Sequence, residues 1–257
     1  IRNITNALTA RVEAYFSKRY PERNLKFYTA MTYGNPSVKS IIETAEREGC
    51  DDFLFVPLYP QYAGATTGAA FDQISRAFQS MPVASHRFIR DYHDHPRYIH
   101  ALAKTLERYN PAVRDGAHVL FSFHGIPMSQ VNQGDLYPAQ CEKTAASVAH
   151  AVGLSKDQWS MSYQSKFGPG AWLTPATIDQ MAAFPTQGIK DLIVMCPGFS
   201  VDCLETIEEI KVENKDAFLA AGGQRFRYIR ALNASKFHVD LMVALIESSL
   251  YSHELRF

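Results

Sequence analysis

Apolar positions first recur along this chain with a helical period. Between residues 2 and 19, Ile4, Leu8, Val12, Tyr15 and Phe16 fall three or four apart, which predicts an amphipathic helix. The pattern then shortens. Leu25–Met31 reads as a strand, and a second helix is expected from about Ser37, with Ile41, Ile42 and Ala45 facing inward and Gly49 as its stop. The run DFLFVPLYP predicts a buried strand, and the small-residue loop QYAGATTG leads from it into the helix AAFDQISRAF. A short strand around Val83–Ile89 precedes the helix HPRYIHALAKTLERY. Polar residues and a proline near 110–115 mark a seam, after which the same alternation restarts. AHVLFSFHGIP, WSMSYQ, IKDLIVM and RFRYIRAL read as strands, each followed by a loop and a helix.

Strands that are apolar throughout, alternating with helices, argue for parallel sheets covered on both faces. The segments beginning TYGNPS and SYQSKFGPG share a plan: a strand ending at a tyrosine, a loop, a helix, and an Asp-led strand ending in proline. The fold class expected is therefore α/β, two similar halves over residues 1–113 and 114–257 with a cleft between them. The second half opens with the strand that carries His124, and the first half shows no equivalent. The expectation is that an N-terminal strand and its loop are missing. Residues 1–257 would then be a fragment with weak or absent turnover.

Composition narrows the partners. Lysine plus arginine balance aspartate plus glutamate, so the formal net charge is zero. A neutral chain gives no electrostatic reason to propose nucleic acid or an anionic membrane. No apolar stretch approaches the roughly 20 residues of a membrane-spanning helix. Cys50, Cys141, Cys196 and Cys203 form no C-x-x-C pair, which predicts reduced thiols rather than a structural zinc site.

In open parallel sheets, ligands bind beyond the carboxyl ends of the strands. Four stretches fall there: Tyr33-Gly34, Tyr59–Tyr62, His124-Gly125 and Pro197–Glu205. In CPGFSVDCLETIEEI a helix is expected to start near Asp202, with Asp202 and Glu205 in a capping arrangement. Asp202, Glu205, Glu209 and Glu213 are spaced by three, four and four, so they would share one helix face, with Leu204, Ile207 and Ile210 opposite. Such a row is either a solvated surface or a path for cations and protons. His124, in the tight turn HGIP, is either a packed strand end or an available imidazole. Facing a carboxylate, it suits a divalent first-row metal such as Fe²⁺ and can accept a proton near neutral pH. Tyr33, Phe167, Trp172 and Phe199 all fall in loops after strands, where they could wall a flat hydrophobic ligand.

From about Met31 to His238, the stretches SFHGIP, YPQYAGATTG, YQSKFGPGAWLTP, CPGFSVDCLETIEEI and YIRALNAS resemble ferrochelatase, the bacterial members most. The resemblance implies two Rossmann-like, flavodoxin-like domains and insertion of Fe²⁺ into protoporphyrin IX to form protohaem, with release of two protons. It implies His124 and Glu205 as the catalytic and metal pair, Asp202 and Glu209 as further acids of the row, and Tyr33, Phe167, Trp172 and Phe199 as porphyrin contacts. No resident cofactor is implied, since Fe²⁺ is a substrate. Some members bind a 2Fe–2S cluster through four cysteines. Here Gly64 stands where such members place one, and none follows Cys203, so no cluster is expected. The implied setting is the cytoplasm, with peripheral contact at the inner membrane allowed. The alternatives are a chelatase for coproporphyrin or Co²⁺, or a non-catalytic tetrapyrrole-binding protein.

Overall fold

The structure, a computed structural model, describes residues 1–79 and 84–254, with side chains to residue 250. In chain order its elements are α1 (Arg2–Arg19), α2 (Val38–Arg47), β1 (Asp52–Phe55), a π turn (Gly64–Gly68), α3 (Ala69–Phe78), β2 (Ser85–Phe88), α4 (Pro96–Leu106), a 3₁₀ turn (Glu107–Tyr109) and α5 (Asn110–Arg114). There follow β3 (His118–His124), α6 (Met128–Asn132), α7 (Tyr137–Ala151), β4 (Trp159–Gln164), α8 (Thr177–Thr186), β5 (Asp191–Met195), a ten-residue π-helix (Glu205–Asn214), α9 (Lys215–Ala220), β6 (Arg225–Ile229) and α10 (Lys236–Glu254).

By its contacts the chain divides into two units, residues 1–92 with 234–257, and residues 93–233. The divisions lie at Tyr92/His93 and Asn233/Ala234, whereas the repeat had suggested 113/114. Packing explains the difference. On the second unit's side, the α7 hydroxyl of Thr144 donates to the His93 carbonyl at 2.8 Å, just ahead of α4, and Tyr98 of α4 donates to the Pro197 carbonyl. On the first unit's side, Tyr15 and Tyr20 at the end of α1 both donate to Glu247 of α10, at 3.2 and 2.9 Å.

In the first unit, β1 and β2 pair in parallel, Asp52 opposite Ser85 through Phe55 opposite Phe88. Val38, Ile42, Ile74, Ala77 and Phe78 form its core, with Phe53, Phe55 and Phe88 packed against them. Ser37 caps α2, accepting the Ser40 N–H at 3.2 Å, and Gly49 ends it at φ +86°. Leu8, Val12 and Phe16 bury the inner face of α1 as the periodicity requires. The expected strand Leu25–Met31 does not form. Among the described residues that segment joins no ladder beyond a bridge between Met31 and Ser37. Its side chains bond helices instead: Phe27 packs on Phe16, and Lys26 and Tyr28 donate to Glu48. The expected strand near Val83–Ile89 is seen as β2, its first residue lying outside the described ones.

The second unit holds a four-stranded, all-parallel sheet in the order β4-β3-β5-β6. Six of the seven residues of β3, and all five of β5, are buried. Leu120, Leu192 and Val194 pack with Met181, Phe184, Ile210 and Phe218 of the covering helices. Strands buried on both faces read as unbroken apolar runs, which is why these two were legible in the sequence.

Candidate active site

The four strands of the second unit all point their carboxyl ends the same way, and the polar residues that sequence reading singled out collect there. His124 is the last residue of β3, in register with Gln164, the last of β4. Its imidazole Nδ1 lies 2.6 Å from the Gly125 carbonyl oxygen. A carbonyl only accepts, so Nδ1 carries the hydrogen, and in the neutral ring Nε2 is left as the basic nitrogen. Phe199, in the loop after β5, faces the ring with centroids 6.3 Å apart.

The turn after His124 leaves little room for a side chain. A Cβ on Gly125 would sit 3.0 Å from the Gln164 carbonyl oxygen and 3.3 Å from the Trp172 ring. That close approach lets two loops run together. Met128 N–H donates to Ala171 at 2.8 Å, Leu173 N–H to Ile126 at 3.1 Å, and Pro127 bridges Trp172. Trp172 is thereby half-buried against the histidine turn, while Phe167, five residues earlier in the same loop, is 86% exposed.

Gln164 joins the strand ends to the π-helix. Buried, it accepts from Ser122 at 2.9 Å and from the Cys196 thiol at 3.4 Å, and its amide donates to the Glu205 carbonyl at 3.0 Å. Beneath it, Ser122, Thr177 and Ser162 form a buried chain of hydroxyls at 2.8 and 2.9 Å. His124 and Glu205 are thus both tied to one residue, Gln164, His124 through strand register with its backbone and Glu205 through a main-chain carbonyl bonded by its side chain. Gln164 lay in a quoted motif and went unremarked. A glutamine closing a buried strand was the available signal, because a buried amide demands partners.

The acidic row differs from the sequence expectation. Asp202 does not lie on the helix. It is 4% exposed and accepts hydrogen bonds from Tyr228, Arg230, the Ala231 N–H and Asn233. Burial alone would raise its pKa, but these donors outweigh burial and hold the carboxyl below its ordinary value. Asp202 latches the π-helix entrance to the segment after β6, and no capping arrangement with Glu205 forms. Thr206 takes that part, its hydroxyl accepting the Cys203 N–H at 3.0 Å. From Glu205 onward the winding is π rather than α, which rotates Glu209 and Glu213 about the axis relative to their α positions. Thr206, Ile210 and Asn214 point inward, Glu205 and Glu209 are half-buried, and Glu213 is exposed. Leu204, expected opposite the acids with Ile207 and Ile210, is 75% exposed beside Glu205.

Glu209 is held as firmly as Asp202. Ser165 donates to it twice, through its N–H at 2.6 Å and through its hydroxyl. Ser165 sits at φ +62°, a left-handed conformation that costs a serine on the order of 1–3 kcal/mol, and the paired bonds to a carboxylate offset that cost. Cys203 and Cys196 are free thiols. Burial and a bond to the Glu205 carboxylate push the Cys203 thiol up to about 12, and burial raises the Cys196 thiol well above its ordinary value, so both are neutral at physiological pH. Among the described residues, no three His, Cys, Asp or Glu side chains group so as to hold a metal ion. No described helix is long and apolar enough to cross a membrane.

Of the residues picked from sequence, the second unit therefore assembles His124, Phe199, Trp172, Glu205 and Glu209 around the ends of β3, β4 and β5. Asp202 braces them from behind. Tyr33 belongs to the first unit, where it is 72% exposed with its hydroxyl donating to Ala65 at 3.3 Å.

This architecture is shared with solved chelatases. SirB from Bacillus subtilis, in a structure with Fe³⁺, matches with a TM-score of 0.63 over 97% of this chain and 92% of its own, at 11% identity. The cobalt complex of sirohydrochlorin chelatase SirB from the subspecies spizizenii gives 0.66 over 100% and 93%, at 10% identity. The fold is thus the Rossmann-like fold of the chelatases. The ferrochelatase family model matches residues 1–250, and the chain belongs to that family. Ferrochelatases of Vibrio parahaemolyticus and Vibrio cholerae are each 47% identical to it, over 86% and 84% of this chain and 69% and 68% of theirs. The ferrochelatase of Actinobacillus pleuropneumoniae is 42% identical over 93% of this chain and 73% of its own. With membership comes the activity: this is a lyase of haem biosynthesis that inserts iron into protoporphyrin.

Proposed function

We propose that His124 and Glu205 carry the insertion of Fe²⁺, with His124 as base toward the porphyrin and Glu205 as carrier of the cation and its displaced protons. The observation that supports this most is the His124 tautomer. The Nδ1–H bond to Gly125 leaves Nε2 as the basic nitrogen at the end of a strand that pairs on both sides as far as Phe121 and with β4 as far as His124 itself. Metal entry displaces two pyrrolic protons, and an imidazole accepts a proton at a pH where a pyrrolic N–H will not release one unaided. An imidazole and a carboxylate are two donors suited to a first-row divalent ion. Two donors hold such an ion weakly enough for it to pass on as substrate.

Phe199, Trp172 and Phe167 supply apolar surface for the macrocycle. Glu209, already bonded by Ser165, serves as a fixed acceptor behind Glu205. We place the enzyme in the cytoplasm, acting on protoporphyrin IX and Fe²⁺ without a resident cofactor.

The test is turnover by the full chain. His124→Ala abolishes metalated product while melting temperature and circular dichroism stay near wild type. Glu205→Gln lowers the rate at least about 100-fold, as loss of a positioned acid–base group does. Glu213→Gln, on the exposed side of the helix, leaves it near wild type. A folded His124→Ala protein that still inserts iron sinks the assignment. Parallel assays with coproporphyrin and with Co²⁺ decide substrate preference.

A further inference from the structure

We propose that Asn214 is a positioning residue, whose side-chain amide holds the π winding of residues 205–214 and thereby sets the carboxylates of Glu205 and Glu209. The proposal rests on the catalytic reading above and extends it to a residue at the far end of the helix.

Asn214 is 2% exposed. Its Nδ2 donates to the Glu209 carbonyl at 2.7 Å, and its Oδ1 is buried without a hydrogen-bond partner among the described residues. A buried amide with only part of its bonding met is an unfavourable occupant of a helix interior, and asparagine is a poor helix former besides. A leucine of similar size would avoid both costs. What asparagine alone supplies is a donor reaching five residues back, the same span as the main-chain bond of a π-helix. Its place is the junction itself, because α winding resumes at Lys215.

The other anchors make the winding matter. Gln164 holds the Glu205 backbone and Ser165 holds the Glu209 carboxylate. Both partners sit at the end of β4, so the two glutamates keep them only at one relative rotation about the helix axis. Relaxation to 3.6 residues per turn would turn one carboxylate away from its place. The amide of Asn214 opposes that relaxation at the carbonyl of Glu209.

Asn214→Leu and Asn214→Asp, assayed as full chains at pH 8, test this. Leucine removes the orphaned oxygen, so it leaves the melting temperature unchanged or raises it. The expected result is a kcat for iron insertion about ten- to a hundredfold lower, the scale for misplaced catalytic groups. The KM for porphyrin stays near wild type, the pH–rate profile shifts, and amide hydrogen exchange across 205–215 accelerates. Asn214→Asp, similar in shape but without the donor, shows the same kcat loss, and it decides the matter if the leucine variant does not fold. Wild-type kcat, pH profile and exchange in either folded variant overturn the proposal. His124→Ala is run alongside. If that variant turns over normally, the catalytic reading has failed, and the exchange protection of 205–215 still judges the role of Asn214.

Discussion

The two units solve the same problem with different amounts of support. In the second, β3 has a parallel neighbour on each side and is buried along all but its last residue, so His124 stands on a strand that cannot shift without unpairing both ladders. In the first, β1 and β2 are four residues each and pair with each other among the described residues, and β1 is half-buried at best. Their acids differ in the same sense. Asp202 sits among five donors at 4% exposure, whereas Asp52 bonds Arg87 and Ser85 at a surface where both members of the ion pair stay partly open to water. The proposed base, both anchored glutamates and their polar braces all lie on the unit with the larger and more deeply buried sheet. That follows from what positioned catalysis requires, since geometry is no more exact than the elements that carry it.

Stability measurements can break this contrast. The largest effect is expected at the buried acid: Asp202→Ala leaves Arg230 and Asn233 without their carboxylate and should cost about 3–5 kcal/mol. Asp52→Ala should cost under about 1 kcal/mol, as exposed ion pairs do. Urea unfolding of both variants measures the difference, and equal losses would erase the distinction between the units. Next in size are the strands. Leu120→Ala removes a fully buried side chain from β3 and is expected to lose about 2–5 kcal/mol, more than Leu54→Ala on half-buried β1.

Acid sharpens the same point. Because the folded-state pKa of Asp202 is depressed, its contribution is complete above the ordinary carboxylate value and fades as pH falls through the folded one. Melting temperature should therefore drop on acidification below about pH 4, the ordinary range for aspartate, and Asp202→Asn should flatten that drop. The smallest effect concerns thiols. With its thiol held up to about 12, Cys203 should alkylate slowly at pH 8 in the folded protein and quickly after denaturation, read by mass spectrometry of the labelled peptide.

How much of this was legible depended on the kind of interaction. The strands β3 to β6, the helix α1 and the stop at Gly49 were readable because each follows from local pattern: unbroken apolar runs, a 3.6-residue period, a glycine where φ must be positive. The segment Leu25–Met31 has the pattern of a strand and lacks a ladder, since pairing depends on a neighbour that its own residues do not encode. The acidic helix failed differently. Its spacing was read for α winding, while the observed winding is π, bonded by Asn214 at one end and entered past a buried Asp202 at the other.

By itself the sequence determined the alternation of strands and helices, the parallel sheets, the family resemblance, and that His124, Glu205 and Glu209 follow strand ends. Periodicity and loop position are properties of neighbouring residues. The tertiary structure alone decided where the units divide, that Gln164 links His124 to Glu205, that Ser165 holds Glu209, and that Asp202 braces the site from behind. The last three rest on bonds between groups 26 to 44 residues apart in the chain, whose partners become visible only when the sheet brings the strand ends together.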